Sequence, residues 1–371
     1  MAGVLVHEWI EKIGGSENVL EALSHIFPDA DMLCLWNNAA ERFPDRVVRE
    51  TALARSPLRG RKAAALPFVP AVWRNQTNHD YDWALVSSHS FAHHVSFRSQ
   101  RPDFKKLVYT HTPARYIWTP ELDARGRSVS ARLAAPVFKG VDRRRAQEAT
   151  SIAANSRYVA MRVKYAWQRD SEVIYPPVDV EAIQAITDWS SQLGEEEAQV
   201  ATSLPSAFVL GASRWIPYKR LELTIDVAEA LGMPAVIAGA GPEEKFLRSR
   251  AADSSVPVKF VHSPSNALLR TLYQRAILFV FPAVEDFGIM PVEAMAVGTP
   301  VLCNARGGTR ESVLDGQTGR QIEDWQSASE VLAAARDAIA CNRSVTRDHA
   351  ATFSKTQFSR RITEWQKSQV S

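Results

Sequence analysis

Glu285 and Glu293 stand eight residues apart, at the two ends of a stretch that reads as a loop running into a helix. Two carboxylates so placed can hold hydroxyls at two ends of one ligand. Residues 277–281 are an apolar run of the kind that makes a strand buried on both faces. Pro291 suits a first helical position, and Gly298-Thr299-Pro300 supplies a stop. The loop between them, residues 285–290, therefore falls at the carboxyl end of a strand, where ligands bind in open α/β sheets. Backbone N–H groups of Phe287, Gly288, Ile289 and Met290 and the helix N-terminus can face an anion there, and Gly288 allows close approach. Taken singly, each glutamate reads more readily as a solvated loop charge or a favourable acid at a helix N-terminus than as a ligand-binding group. The spacing together with Gly288, Pro291 and Gly-Thr-Pro is what makes the signal specific.

A second strand end carries the complementary charge. Residues 207–212 are apolar, and Ser213-Arg214-Trp215-Ile216-Pro217-Tyr218-Lys219-Arg220 follows. Arg214 can grip phosphate oxygens with two N–H groups while Lys219 supplies a compact point charge. Alone they are ordinary surface cations. Beside an acidic, glycine-bearing rim they fit a nucleotide diphosphate that carries a hydroxylated group.

Histidines mark the first half. His89, His93 and His94 follow a strand-like run at 83–88, and His111 follows another at 106–110, immediately before Thr112-Pro113. That position at a strand terminus sets His111 apart from the other histidines. Their sequence spacing is not that of a metal site, so no metal is expected. Gly14-Gly15-Ser16-Glu17 follows the first strand, at 3–7, with Ser16 as the expected cap of a helix over 19–27. A glycine pair at a helix start can accept a phosphate or a sugar, or be no more than a tight turn.

These groups need two sheets to hold them. The 371 residues exceed one ordinary domain. With 46% apolar and 23% charged residues the chain reads as a soluble globular protein. Three scattered cysteines suit a reducing compartment, and no apolar run has membrane-span length, so a cytoplasmic location is expected. The net charge of +3 divides unevenly: residues 1–170 carry 25 Lys and Arg against 17 Asp and Glu, and the remainder carries 19 against 24. A basic half suggests an anionic partner. Residues 42–74 are its most basic part, with Arg59, Arg61 and Lys62 interleaved with apolar side chains such as Trp73. The stretch reads either as a solvated face or as a contact with an anionic membrane. No nucleic-acid module is present. A basic helical segment is expected over 121–150 and a solvated linker or surface helix over 187–206. Strands alternating with helices through the second half predict a parallel, doubly wound α/β sheet. The Pro176-Pro177 turn places the boundary, giving domains at 1–178 and 179–354 and a closing helix at 355–371.

The run Gly211-Ala-Ser-Arg-Trp-Ile-Pro-Tyr-Lys-Arg220, the segment 285–293, Gly298-Thr-Pro, Gly307-Gly-Thr-Arg-Glu311 and the Gly14-Gly15 turn jointly resemble the family 4 retaining glycosyltransferases of GT-B fold. His7-Glu8-Trp9 with Gly14-Gly15-Ser16-Glu17, and Tyr109-Thr-His-Thr-Pro-Ala-Arg-Tyr116, look most like bacterial mannosyltransferases that build surface polysaccharide. The resemblance implies two Rossmann-like domains facing across a cleft, the first binding the acceptor and the second the donor, with the last helix crossing back. It implies a hexosyltransferase that needs no metal or other cofactor and moves mannose from GDP-mannose to a glycan or lipid-linked acceptor. It places the donor diphosphate on Arg214 and Lys219, sugar hydroxyls on Glu285, sugar and phosphate on the amides of 287–290 and ribose on Glu293. His111 would meet the transferred sugar, Gly15 would line the cleft, and Arg59, Arg61, Lys62 and Trp73 would face the acceptor or an anionic membrane. The open alternatives are a UDP-sugar donor with a small acceptor, a nucleotide-sugar epimerase and a non-catalytic nucleotide-sugar-binding protein. An oxidoreductase is disfavoured, because no Gly-x-Gly-x-x-Gly follows the first strand.

Overall fold

The computed structural model describes residues 1–370 apart from 75, 77–79, 99 and 121–128, and only the backbone at 129–134. The chain forms two units, Met1–Pro177 with Thr356–Ser371, and Val178–Lys355. Each is built on one parallel sheet.

In unit 1 the strands are β1 (Gly3–His7), β2 (Asp31–Cys34), β3 (Val48–Glu50), β4 (Trp83–Ser88), β5 (Lys105–Thr110), β6 (Ser151–Ala154) and β7 (Glu172–Val173). Their spatial order is β3-β2-β1-β4-β5-β6-β7. Every residue of β1 is buried, because the sheet is covered on both faces. Val4 and Val6 point into a core with Trp73, Val159, Val163 and Trp167. Leu5 points to the other face, where it meets Leu20 and Leu23 of the helix Gly15–Ile26 and Phe358, Ile362 and Trp365 of the last helix. That last helix, Lys355–Val370, is tied to unit 1 by Trp365 Nε1 donating to Ser151 Oγ at 2.9 Å and Arg361 to the Val173 carbonyl at 3.1 Å.

Unit 2 repeats the plan with β8 (Val209–Ala212), β9 (Ala235–Gly239), β10 (Val258–His262), β11 (Leu278–Phe281), β12 (Val301–Asn304) and β13 (Gly319–Ile322). The order is β10-β9-β8-β11-β12-β13, so the winding reverses between β8 and β11. In unit 1 the same reversal falls between β1 and β4. These reversals open a crevice beyond the strands' carboxyl ends, which is where ligands of such sheets bind. Both sheets are Rossmann-like and α/β, as the alternation of strands and helices predicts.

Several local expectations shift. The helix expected at 19–27 begins at Gly15 with Gly14 as its cap, and Ser16 lies inside its first turn with its hydroxyl on Glu17 Oε2 at 2.7 Å. The helix after β11 is Ile289–Ala296, two residues earlier than Pro291 suggests, so Glu293 stands in its second turn. Residues 187–206 include the helix Glu195–Ser203, whose Glu197 accepts from the Ser265 amide and hydroxyl. The segment expected helical over 121–150 is helical over Val129–Ala146, and residues 121–128 lie outside the described ones. Among the described residues no helix is long and apolar enough to cross a membrane.

The basic stretch at 42–74 needs the largest correction. Trp73 is wholly buried in the core and has no surface to offer a bilayer. Arg59 bonds to Glu50 and the Asn37 carbonyl, and Lys62 pairs with Glu11 at 3.1 Å while lying over the Trp9 ring. Arg42, Arg49 and Arg74 pair with Glu21, Asp31 and Glu148. The stretch looked uncompensated because most of its carboxylates lie elsewhere in the chain. Arg55, Arg61 and Phe68 remain exposed.

Candidate active site

The rim of unit 2 is assembled from the loops that leave β8, β11 and β12. After β8 the chain turns through a short 3-10 segment, Pro217–Lys219, and Arg220 takes a left-handed conformation that ends it. Trp215 anchors this loop from beneath, fully buried against Leu221, Ile225, Ile237 and Leu247. The loop thereby delivers Lys219 to the loop after β11, where its Nζ lies 2.5 Å from Glu285 Oε1. The side chains are 9% and 16% exposed, enough to reach a ligand while staying fixed in position. Phe281 and Tyr218 lie under the ammonium at 5.3 Å each, so ring faces as well as the carboxylate hold it. Arg214 stands exposed on the same loop and donates to the Tyr218 hydroxyl at 3.2 Å.

Backbone approach without side chains fixes the second loop. Gly308 donates to the Glu285 carbonyl at 2.7 Å. A Cβ on Gly308 would fall 2.0 Å from the Asp286 carbonyl oxygen, and one on Gly307 2.8 Å from that of Glu285. Only glycine at both positions lets the β12 loop lie flat against residues 285–287. Gly288 has φ 94° and caps the helix Ile289–Ala296, whose N-terminus no side chain caps. Its first-turn amides point out of the helix at the residues singled out in the sequence, Ile289 and Met290. Phe287 is buried, with its ring 5.5 Å from Phe353.

Glu293 has a different environment from its partner in the motif. Desolvation at its half-buried position raises its carboxyl to about 7, with Arg270 opposing and Asp179 adding to the shift. Its electrostatic neighbours are therefore Arg270, Asp179 and Tyr273, on the helices packed beside its own. Structure thus joins Lys219 to Glu285 directly, puts Arg214 on the same loop as Lys219, and sets Glu293 into the helix that follows.

In unit 1, His111 follows β5. Its amide donates to the Ser88 carbonyl at 2.8 Å, and its Nε2 lies 2.8 Å from Ser87 Oγ. Burial, with His89 and His7 nearby, holds its pKa well below the ordinary histidine value, so the imidazole is neutral at neutral pH. Ser87 Oγ also lies 3.0 Å from His7 Nδ1. Glu8 is fully buried and accepts from the amides of Ser90 and Ala92 at 2.8 Å each. Burial opposes its charge, but His89, His7 and the amides of Ala92 and His89 keep its pKa below the usual value. Gly15 opens the helix that covers this end of β1, and nearby Glu17 is buried. Sequence reasoning singled out His111 but neither Ser87 nor the His7–Glu8–His89 group around it. His7, Glu8 and His89 come from two neighbouring strand ends, and their separation in sequence hides the grouping.

A second buried group surrounds Asp142, which accepts from the indole N–H of Trp118 and Trp167 at 2.7 and 2.6 Å and faces His93 and His94 at 3.1 and 3.0 Å. This network ties the helix Val129–Ala146 to the sheet. It reads as structure.

Residues 194–355 match the family model described as glycosyl transferases group 1. The match falls within unit 2. Curated relatives include a D-inositol 3-phosphate glycosyltransferase of Mycolicibacterium paratuberculosis, 33% identical over 49% of this chain and 44% of that protein. The alpha-1,3/1,6-mannosyltransferase alg-2 of Neurospora crassa is 28% identical over 46% of this chain and 44% of its own. The chain thus spans less than half the length of the curated relatives it matches. Among solved structures, Anabaena HepE in complex with UDP matches with a TM-score of 0.72 at 18% identity, covering 99% of this chain and 100% of that one. Sucrose-phosphate synthase from Thermosynechococcus elongatus matches at 0.70 and 16%, over 99% and 98%. At these identities the likeness is one of fold, and the fold is that of the GT-B glycosyltransferases.

Proposed function

We propose that the protein is a glycosyltransferase that moves a hexose from a nucleotide sugar to a hydroxyl acceptor with retention at the anomeric carbon. The observation that carries this reading is the Lys219–Glu285 pair at the carboxyl ends of β8 and β11, where the sheet of a glycosyltransferase domain reverses its winding. Lys219 and Arg214 serve the donor diphosphate, and their charge substitutes for a divalent cation as the nucleoside diphosphate leaves. Glu285, already oriented by Lys219, takes hydroxyls of the transferred sugar. Amides of Phe287, Gly288, Ile289 and Met290 meet sugar and phosphate, and Glu293 takes the ribose. In the step itself, the bond between the anomeric carbon and phosphate oxygen breaks with its electron pair leaving on the nucleoside diphosphate. The acceptor oxygen bonds to the same face of that carbon, and its proton passes to the departing phosphate. No side chain need act as a base.

The donor we favour is GDP-mannose. The mannosyltransferase among the relatives and the resemblance of residues 7–17 and 109–116 to polysaccharide mannosyltransferases support it. A UDP-hexose is the second reading, favoured by the likeness to HepE, whose structures hold UDP and UDP-glucose. Incubation with a panel of GDP- and UDP-hexoses, with thermal shift as the first readout and donor hydrolysis and acceptor labelling as the second, decides between them. Stabilisation by GDP-mannose alone supports the first, by UDP-glucose the second. Stabilisation by none of the panel overturns the proposal.

A further inference from the structure

We infer that His7, Glu8 and His89 form a binding site for one divalent transition cation of the zinc class, at the carboxyl ends of β1 and β4. Each residue offers a ligand atom, and the three atoms lie within 4.8 Å of one another. His7 is fully buried, and its Nδ1 lies 3.2 Å from the Ser87 carbonyl oxygen, which can only accept. In the tautomer that donates Nδ1–H to this carbonyl, Nε2 keeps its lone pair. That Nε2 is buried with no hydrogen-bond partner. A ring nitrogen held by a backbone carbonyl on one side and bare on the other is the arrangement of a metal-binding histidine with its outer partner in place.

Glu8 completes the argument. Its Oε1 is occupied by the Ser90 and Ala92 amides at 2.8 Å, while Oε2 has only the His89 amide at 3.2 Å and His89 Nδ1 at 3.3 Å. His89 Nδ1 is likewise buried without a hydrogen bond. Two imidazole nitrogens and one carboxylate oxygen suit zinc or cobalt, and a fourth position remains for water. Bond lengths of about 2.0–2.2 Å require the three ligands to draw together slightly, and His89, on a loop and 21% exposed, can make that adjustment. An anion does not fit, because a lone pair and a carboxylate face the same point and Glu17 lies close to His7. The His93–His94–Asp142 group does not compete, since the oxygens of Asp142 are engaged by two indoles and His94. Sequestered there, the ion fastens the loop after β4 to the end of β1, one hydroxyl away from His111. This inference does not depend on the function proposed above.

The test is cobalt titration of the full-length, tag-free protein, followed by visible absorption and then by displacement with zinc. One equivalent of cobalt should give the intense bands of a four- or five-coordinate ion, and zinc should abolish them and raise the melting temperature. His89→Ala should lose the bands and weaken cobalt binding by more than the roughly 10- to 100-fold that removal of an outer partner costs. His7→Gln should do the same, and His262→Ala, an exposed position on β10, should bind as the native protein does. Because His7 is buried, circular dichroism accompanies each variant; if His7→Gln does not fold, His89→Ala decides. The pale spectrum of hydrated cobalt in the native protein, or unchanged binding in folded His89→Ala, overturns the inference.

Discussion

At the scale of single residues, the proposed function rests on a cation and an anion that hold each other. Lys219 reaches Glu285 at 2.5 Å with little exposure on either side. Replacing Lys219 by alanine leaves Glu285 with a lost partner in a confined site, which costs roughly 1–3 kcal/mol of stability. The catalytic loss should be larger, because in the proposed function the ammonium also serves the leaving diphosphate. Lys219→Ala and Glu285→Ala are each expected to lower kcat by about 10²–10³-fold while the far-ultraviolet spectrum stays native. Full turnover in either would remove the assignment. Glu293 yields a pH prediction. Desolvation at its half-buried position raises its carboxyl to about 7 in the folded chain, against 4.5 for an ordinary glutamate. The folded state therefore holds a proton that the unfolded chain releases between those values. The contribution is fully present below about pH 4.5 and is lost as pH rises through about 7. Its ceiling is roughly 3 kcal/mol, at 1.36 kcal/mol for each pH unit of displacement. Glu293→Gln should flatten that part of the stability profile and melt higher than the native protein at pH 8. An unchanged slope in denaturant titrations across this range would show that Glu293 is not the group responsible.

At the scale of elements, the site is a meeting of loops, and its tolerances are those of backbone against backbone. Gly308 has no room for a methyl group: its Cβ would stand 2.0 Å from the Asp286 carbonyl oxygen. Gly308→Ala must push the β12 loop off residues 285–287, at a cost of about 1–3 kcal/mol. Because Glu285 moves with that loop, donor affinity should fall more than stability does, and isothermal titration with the preferred nucleotide sugar measures it. Affinity equal to native in a folded Gly308→Ala would show that the loop contact does not shape the site. This contact also marks how far the sequence could be read. The alternation of strands and helices, the carboxyl-end position of Lys219 and Glu285 and the boundary region near Pro177 were all legible, because each is written in local periodicity or in Pro and Gly. The start of the helix at Ile289 was not, since Gly288 with its positive φ sets the boundary before Pro291 does. Trp73 was misread for a related reason: a tryptophan among arginines resembles an interfacial pattern until the distant carboxylates that pair with those arginines are folded into place. Strands β2 and β3, of four and three residues, are too short to stand out from the turns beside them. The His7–Glu8–His89 group is invisible in one dimension because β1 and β4, adjacent in space, are about eighty residues apart in the chain.

At the scale of the molecule, two separately wound sheets imply two stabilities. Unit 1 is the more basic part and includes the last helix, which returns to it through Trp365 and Arg361. Unit 2 contains the residues proposed to bind the donor. A ligand stabilises only what it binds when folded, by about 2.7 kcal/mol at a hundredfold excess over its Kd. For a unit of about 150–250 residues each kcal/mol moves the midpoint by about 2–4 °C, so the donor should raise one calorimetric transition by roughly 5–10 °C. That transition should be the one Lys219→Ala lowers, and in that variant the donor-induced rise should vanish while the other transition stays in place. Should the donor shift only the transition untouched by Lys219→Ala, nucleotide binding would belong to unit 1, and the proposal for unit 2 would fail at its foundation.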